Sequence, residues 1–251
     1  METSIVVKAF RLLEALGGAA NEQSLANLAA VTSLTKPTAH RTLQILIGLG
    51  YIERGNSGAY RLGDRLKRVV LGQGHHRLYC AAQPVMHRLH SATAETVNFA
   101  ILQGDYLNYL ITLESTHALR FVGSNRRTDP LHCTALGRSI LAHLGSDRRE
   151  YFLRGPLPKQ TPFTIVDPKD LRKILDDAKS RGYAFEENES DVGVACFGAP
   201  VFDRGEVVAA ISVSVPTARI DNGLRRKLTS AVREAAAQLT HALNETKIVT
   251  A

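Results

Sequence analysis

Lys36, Thr38, His40, Arg41 and Gln44 crowd into one short stretch, and their side chains share a chemistry. Arg and Lys donate to the acceptor atoms of guanine, Gln pairs with adenine through two hydrogen bonds, and Thr meets a thymine methyl or a phosphate. Arg54 and Arg61 follow on a separate segment, with Arg65, Lys67 and Arg68 beyond them, where contact to phosphates is the natural use. Two other groupings suggest reactivity and fall short of it. His132-Cys133 sets an imidazole beside a thiol, but adjacent residues rarely orient as base and nucleophile, and no third group orients them. His75, His76 and Cys80 have the spacing of metal ligands on a helix, yet no fourth ligand completes a tetrahedral set. We therefore expect no catalytic residue, no metal and no cofactor.

The elements that must carry the first group can be read from periodicity. Val6, Val7, Phe10, Leu13 and Leu16 recur at helical spacing up to Gly17-Gly18. Ser24 caps a short second helix with Leu25, Leu28 and Ala29 on one face. Thr35 caps a third, which tolerates Pro37 in its first turn and turns Ala39, Leu43, Leu46 and Ile47 inward. Tyr51–Arg54, the turn Gly55-Asn-Ser-Gly58 and Ala59–Leu62 then read as a β-hairpin. Helix, turn, basic helix and basic hairpin stand in the order of a winged helix-turn-helix.

Bulk properties agree. A chain of 251 residues that is 44% apolar can build two cores. Residues 1–80 carry ten Lys/Arg against five Asp/Glu, and residues 81–251 carry twenty-one against nineteen, so most of the net +7 lies in the first third. The apolar runs are too short for a membrane span, the start lacks the features of a signal peptide, and three unpaired cysteines suit a reducing compartment. A cytoplasmic protein with no membrane partner is expected.

Asp64 caps a linker helix that Gly72-Gln-Gly74 should end, giving a division into 1–63, a linker helix over 64–75 and a second domain over 76–251. The second domain reads as α+β, with helices near 76–91, 132–144, 168–181 and 223–245. Its strands fall near 96–102, 106–113, 119–124, 183–186, 193–202 and 207–215, making an antiparallel sheet flanked by helices.

Leu34-Thr-Lys-Pro-Thr-Ala-His-Arg-Thr-Leu-Gln-Ile-Leu, Leu49-Gly-Tyr-Ile and Tyr60-Arg-Leu-Gly63 resemble the recognition helix and wing of the IclR family of bacterial transcriptional regulators. Leu131–Ala142, Gly182–Glu189, Gly193–Val201 and Ala209–Pro216 resemble its later signatures in order. The resemblance implies a GAF-like (profilin-like) effector-binding domain, a homodimer or dimer of dimers, and a palindromic double-stranded DNA operator controlled in repression or activation. It also implies a small-molecule effector, a carboxylate by analogy, held by Thr134, Ala135 and Leu136 at a helix start, by Glu186 and Cys196, and by Ser212 and Ser214, with Phe121 and Val194 as apolar walls. Glu186 stands where an aspartate is expected, and Asp129 where an apolar residue is common. Cys196 is read equally well as a packed small hydrophobe. The rival reading is a metabolite-binding protein or hydrolase without sequence-selective DNA binding.

Overall fold

The computed structural model describes residues 4–19, 21–55, 58–118 and 129–245. The chain divides into two compact units, Met1–Arg77 and Leu78–Ala251. The first holds α1 (Ile5–Gly17), α2 (Leu25–Val31), α3 (Lys36–Gly48) and the hairpin β1 (Ile52–Arg54)–β2 (Tyr60–Leu62). Ser4, Ser24 and Thr35 cap the three helices through their hydroxyls, each satisfying a backbone N–H that has no partner inside its helix. Leu12, Leu16, Leu28, Ala29, Ala39, Leu43 and Leu46 from the helices meet Ile52 and Tyr60 from the hairpin in one core. Tyr60 also exchanges both backbone hydrogen bonds with Gln23, tying the hairpin to the start of α2.

The apolar face expected on α1 is only half used. Leu12 and Leu16 are buried, while Val6, Val7 and Phe10 are exposed, Phe10 by 60%. A second difference concerns Gly72 and Gly74, which do not end a helix: α4 runs from Asp64 to Thr93. Glycine costs only about 1 kcal/mol against alanine inside a helix, too little to terminate one that packing favours. Along its later turns Leu78, Ala82, Val85, Met86 and Leu89 supply the packing.

The second unit is built on a five-stranded antiparallel sheet in the order β4-β3-β7-β6-β5. These strands are β3 (Thr96–Gln103), β4 (Tyr106–Leu113), β5 (Ala184–Glu187), β6 (Val194–Asp203) and β7 (Glu206–Pro216). One face carries Val97, Phe99, Ile101, Phe197, Ala199, Ile211, Val213 and Val215 against α4 and α8 (Asn222–Glu245). The opposite face is covered by α5 (Ala135–Leu141), α6 (Ser146–Arg154) and α7 (Pro168–Arg181), with Leu136, Ile140, Leu153, Leu171 and Leu175 over Ala100 and Ala210. α6 was not among the expected helices, and the helix expected over 132–144 is α5, which starts after Thr134. The strand expected over 119–124 lies outside the described residues.

α5 can lie so close to the sheet because of a glycine. A Cβ on Gly198 would stand 2.5 Å from the Ala135 carbonyl oxygen, so β6 and the first turn of α5 meet only if that position has no side chain.

Candidate functional site

α3 is amphipathic in a specific way. Ala39, Thr42, Leu43 and Leu46 are buried against α1 and α2, leaving Lys36, His40, Arg41 and Gln44 exposed and Thr38 half-buried on the outer face. Thr38 accepts a hydrogen bond from the Thr35 hydroxyl at 2.9 Å, so it is fixed at the helix start. Gln44 and His40 lie one turn apart with their nitrogens 3.5 Å from each other. The face thus gathers two cations, an amide and an imidazole with no carboxylate among them.

The hairpin cations are placed differently. Arg54 donates from Nε to the Gly58 carbonyl at 3.1 Å and lies 5.7 Å from the Tyr60 ring centre, which orients it while leaving its guanidinium exposed. Arg61 donates to Glu53 at 3.0 Å and to Glu22 at 3.3 Å, and its hydrogen bond to Glu53 makes the guanidinium hold its proton more firmly still. Much of its charge is therefore balanced within the domain, which leaves Arg54 as the freer of the two. Arg65 donates to the Leu49 carbonyl at 3.2 Å with its guanidinium 5.4 Å from the Tyr51 ring centre. The side chains of Lys67 and Arg68 lie outside the described ones.

In the second unit, strand parity brings the expected polar residues together. Register sets Cys196 of β6 beside Ser214 of β7 and Glu186 of β5, and sets Ser212 beside Asn98 of β3 and Gly198 of β6. All of these face the α5 side. Ser212 and Ser214 are buried, at 2% and 4% exposure, rather than turned to solvent. Ser214 Oγ accepts from Cys196 Sγ at 3.2 Å and from Asn98 Nδ2 at 3.4 Å. Ala135, Val194 and Cys196 pack together as a small apolar cluster beside them.

Other expected residues have local duties. Thr134 caps α5, accepting from the Gly137 N–H at 3.1 Å and donating to the Pro130 carbonyl at 3.1 Å. Leu136 packs in the core with Ile140, Ala100 and Ala210. The Glu186 carboxylate accepts the backbone N–H of Glu189 at 3.1 Å and of Ser190 at 3.3 Å, and the Ser190 hydroxyl at 2.8 Å, so it closes the turn after β5. Burial, opposed by those hydrogen bonds, holds its carboxyl above the usual carboxylate range. Burial likewise keeps the Cys196 thiol protonated. Phe121 lies outside the described residues.

Sequence reasoning missed Asn98, Thr112, Tyr109 and the buried pair Arg138–Glu189. Thr112 donates to Asn98 Oδ1 at 3.0 Å, and Tyr109 donates to Asp129 at 2.7 Å. Burial and the neighbouring Asp129 push the Tyr109 phenol far above its usual range. The signal available for Asn98 was a polar residue on the same strand parity as Thr96, inside a run that is otherwise apolar. Arg138 of α5 makes a two-pronged pair with Glu189, at 2.7 and 2.6 Å, and also donates to the His132 carbonyl at 2.7 Å and the Phe185 carbonyl at 3.2 Å.

Hydrolytic chemistry finds no support in these groups. The Cys133 thiol is pushed up to about 12, chiefly by burial, and lies 3.9 Å from the Pro130 carbonyl, while the His132 Nε2 stands 3.1 Å from the Pro158 carbonyl. Burial also lowers the His132 pKa. Among the described residues no three His, Cys, Asp or Glu side chains gather as metal ligands, and Cys80 is exposed on α4. No helix of the described residues is long and apolar enough to cross a membrane.

The site thus combines a helix-turn-helix with a cationic outer face and, in the next unit, an α+β domain with a buried polar floor. Comparisons with known proteins give the family. Residues 5–55 match the IclR helix-turn-helix domain and residues 73–241 match the bacterial transcriptional regulator IclR C-terminal domain. The HTH-type transcriptional regulator KdgR of Escherichia coli is 31% identical over 94% of this chain and 91% of its own. The transcriptional repressor IclR of the same organism is 29% identical, over 94% and 88%. Among solved structures, an IclR homologue from Microbacterium hydrocarbonoxydans complexed with 4-hydroxybenzoate is 28% identical with a TM-score of 0.63, covering 96% of this chain and 99% of that one. The Thermotoga maritima IclR is 25% identical with a TM-score of 0.66, over 95% and 98%. The chain belongs to the IclR family and is a transcriptional regulator of the helix-turn-helix type, not an enzyme.

Proposed function

We propose that this regulator lays α3 in the major groove of a palindromic operator, with Lys36, Thr38, His40, Arg41 and Gln44 reading bases and Arg54 on a phosphate. The observation that carries this reading is the carboxylate-free outer face of α3, fixed by a core on its other side. Arg61 joins the phosphate contacts only by giving up Glu53 or Glu22. A palindrome requires two copies related by a twofold axis, as a dimer or a dimer of dimers. The exposed Ile5, Val6, Val7 and Phe10 of α1 supply apolar surface for such pairing. The protein would act in the cytoplasm, where its DNA is.

The same proposal places a small carboxylate effector on the floor formed by Ser212, Ser214, Cys196 and Asn98, beside the Thr134–Ala135 end of α5. Neutral donors that are already held in place suit an oxygen acceptor. The relative that carries 4-hydroxybenzoate makes aromatic acids the first compounds to try. Effector binding would then change operator affinity, since a ligand with different affinity for two states shifts their populations. The test is operator binding by the full chain with and without acid: Arg41→Ala abolishes sequence preference, and Ser212→Ala with Ser214→Ala abolishes the acid response while leaving DNA affinity intact. An acid response that survives the double replacement removes this site.

A further inference from the structure

The direction of the hydrogen bonds on this floor carries a consequence for what it admits. Ser214 Oγ receives the Cys196 S–H and one Asn98 N–H, at 3.2 and 3.4 Å. With both lone pairs occupied, its own hydrogen is left to donate. Ser212, directly opposite Asn98, is 2% exposed, and its hydroxyl has no hydrogen-bond partner among the described residues. Its oxygen is not sealed from its surroundings, so the hydroxyl is open to an incoming group. Thr112 donates to Asn98 Oδ1 at 3.0 Å, and this turns the amide nitrogen of Asn98 toward β7. Only one of its two hydrogens goes to Ser214. The nearby Glu186 carboxylate closes its own turn and also lies within hydrogen-bonding reach of the Cys196 thiol, which leaves the second Asn98 N–H without a competitor from that side.

Resting on the effector reading above, we infer that Asn98, oriented by Thr112, is a specificity-determining residue of the site: it donates to an unprotonated oxygen of the effector and turns away ligands that present a hydrogen-bond donor there. Thr112 acts as a positioning residue. Without its hydroxyl the Asn98 amide loses the contact that distinguishes its oxygen end from its nitrogen end, and the donor no longer faces the ligand.

The experiment measures melting of the full chain with acetate, benzoate and 4-hydroxybenzoate, and with the amines ethylamine and benzylamine, since a ligand of the folded state raises its stability. At least one acid raises the melting temperature of the unaltered protein and neither amine does. Asn98→Asp replaces the donor by an anionic acceptor, so affinity for that acid falls by at least about tenfold, the scale of an unpaired buried charge-bearing contact. Thr112→Val, on the edge strand and of similar shape, lowers melting without ligand only by the cost of one hydrogen bond but weakens the acid about fivefold, and Thr112→Ser restores it. If an acid binds the unaltered protein and both Asn98→Asp and Thr112→Val bind it equally well, the role of Asn98 is overturned and the effector site stands. If an amine stabilises the protein as well as its acid does, the role is overturned as well. If no acid has any effect, the effector reading itself falls.

Discussion

Removing the acid from the buried pair Arg138–Glu189 gives a prediction whose size follows from geometry. Arg138 is 1% exposed and Glu189 is 6% exposed, and four guanidinium hydrogen bonds end on Glu189 and on the carbonyls of His132 and Phe185. Glu189 also accepts the Ile165 N–H at 3.0 Å, and Thr164 donates to its carbonyl at 2.7 Å, so the pair ties α5 to the loop after β5 and to the segment before α7. Glu189→Leu leaves a guanidinium that cannot shed its charge, and stranding a buried charge costs about 3–5 kcal/mol. For a unit of this size that lowers the melting temperature by about 6–20 °C. Arg138→Met strands the carboxylate instead, which can take a proton. Its cost at neutral pH is similar, but it shrinks as pH falls, whereas the cost of Glu189→Leu does not. The double variant Arg138→Met with Glu189→Leu recovers a large part of the loss, because neither charge is left alone. Hydrogen exchange of peptides from α5 and β5 during a urea titration reports this unit separately from the DNA-binding one. Single variants that cost less than about 1 kcal/mol, or a double variant that is the sum of the singles, would refute the reasoning.

Three further outcomes follow from the same contacts. Gly198→Ala forces a methyl to within 2.5 Å of the Ala135 carbonyl oxygen, so α5 must lift from β6; a loss of about 1–3 kcal/mol or more and a weakened acid response are expected in melting and ligand titration. Glu186 has its carboxyl held above the usual range, so the folded protein binds its proton more tightly than the unfolded chain. Its contribution is full below that range and is lost as pH rises through the folded value, and Glu186→Gln should remove this slope from a plot of stability against pH. Thr35→Ala deletes the cap of α3 and should cost about 1 kcal/mol in the first unit while frayed early turns weaken operator binding, checked by exchange of the Thr38 and Ala39 amides.

Much of the DNA-binding unit was legible because its signals are local. Caps at Ser24 and Thr35, Pro37 in a first turn and a Gly-bounded hairpin fix elements within a few residues of themselves. The outer face of α3 follows from helical spacing alone. The alternation of β7 likewise announced Ser212 and Ser214, but which face they line depends on what covers the sheet, and α5 with α6 and α7 decides that. The long-range partners were not legible. Arg138 reaches Glu189 across the fold, Asn98 meets Ser214 only through sheet register, and Arg61 has a second partner in Glu22 from before α2. Thr134 looked like a ligand donor from its place before a helix and is spent on the cap of that helix. Gly72 and Gly74 read as punctuation because propensity is weaker than tertiary packing.

The central claim is that the outer face of α3 reads a specific operator. Selection of the full chain against a random-sequence duplex pool, repeated with Arg41→Ala, tests it most directly. The account predicts enrichment of inverted half-sites by the unaltered protein, and for Arg41→Ala only weak, salt-sensitive binding without enrichment. A pool that shows no enrichment even in dilute salt, or the same half-sites enriched by both proteins, would contradict it.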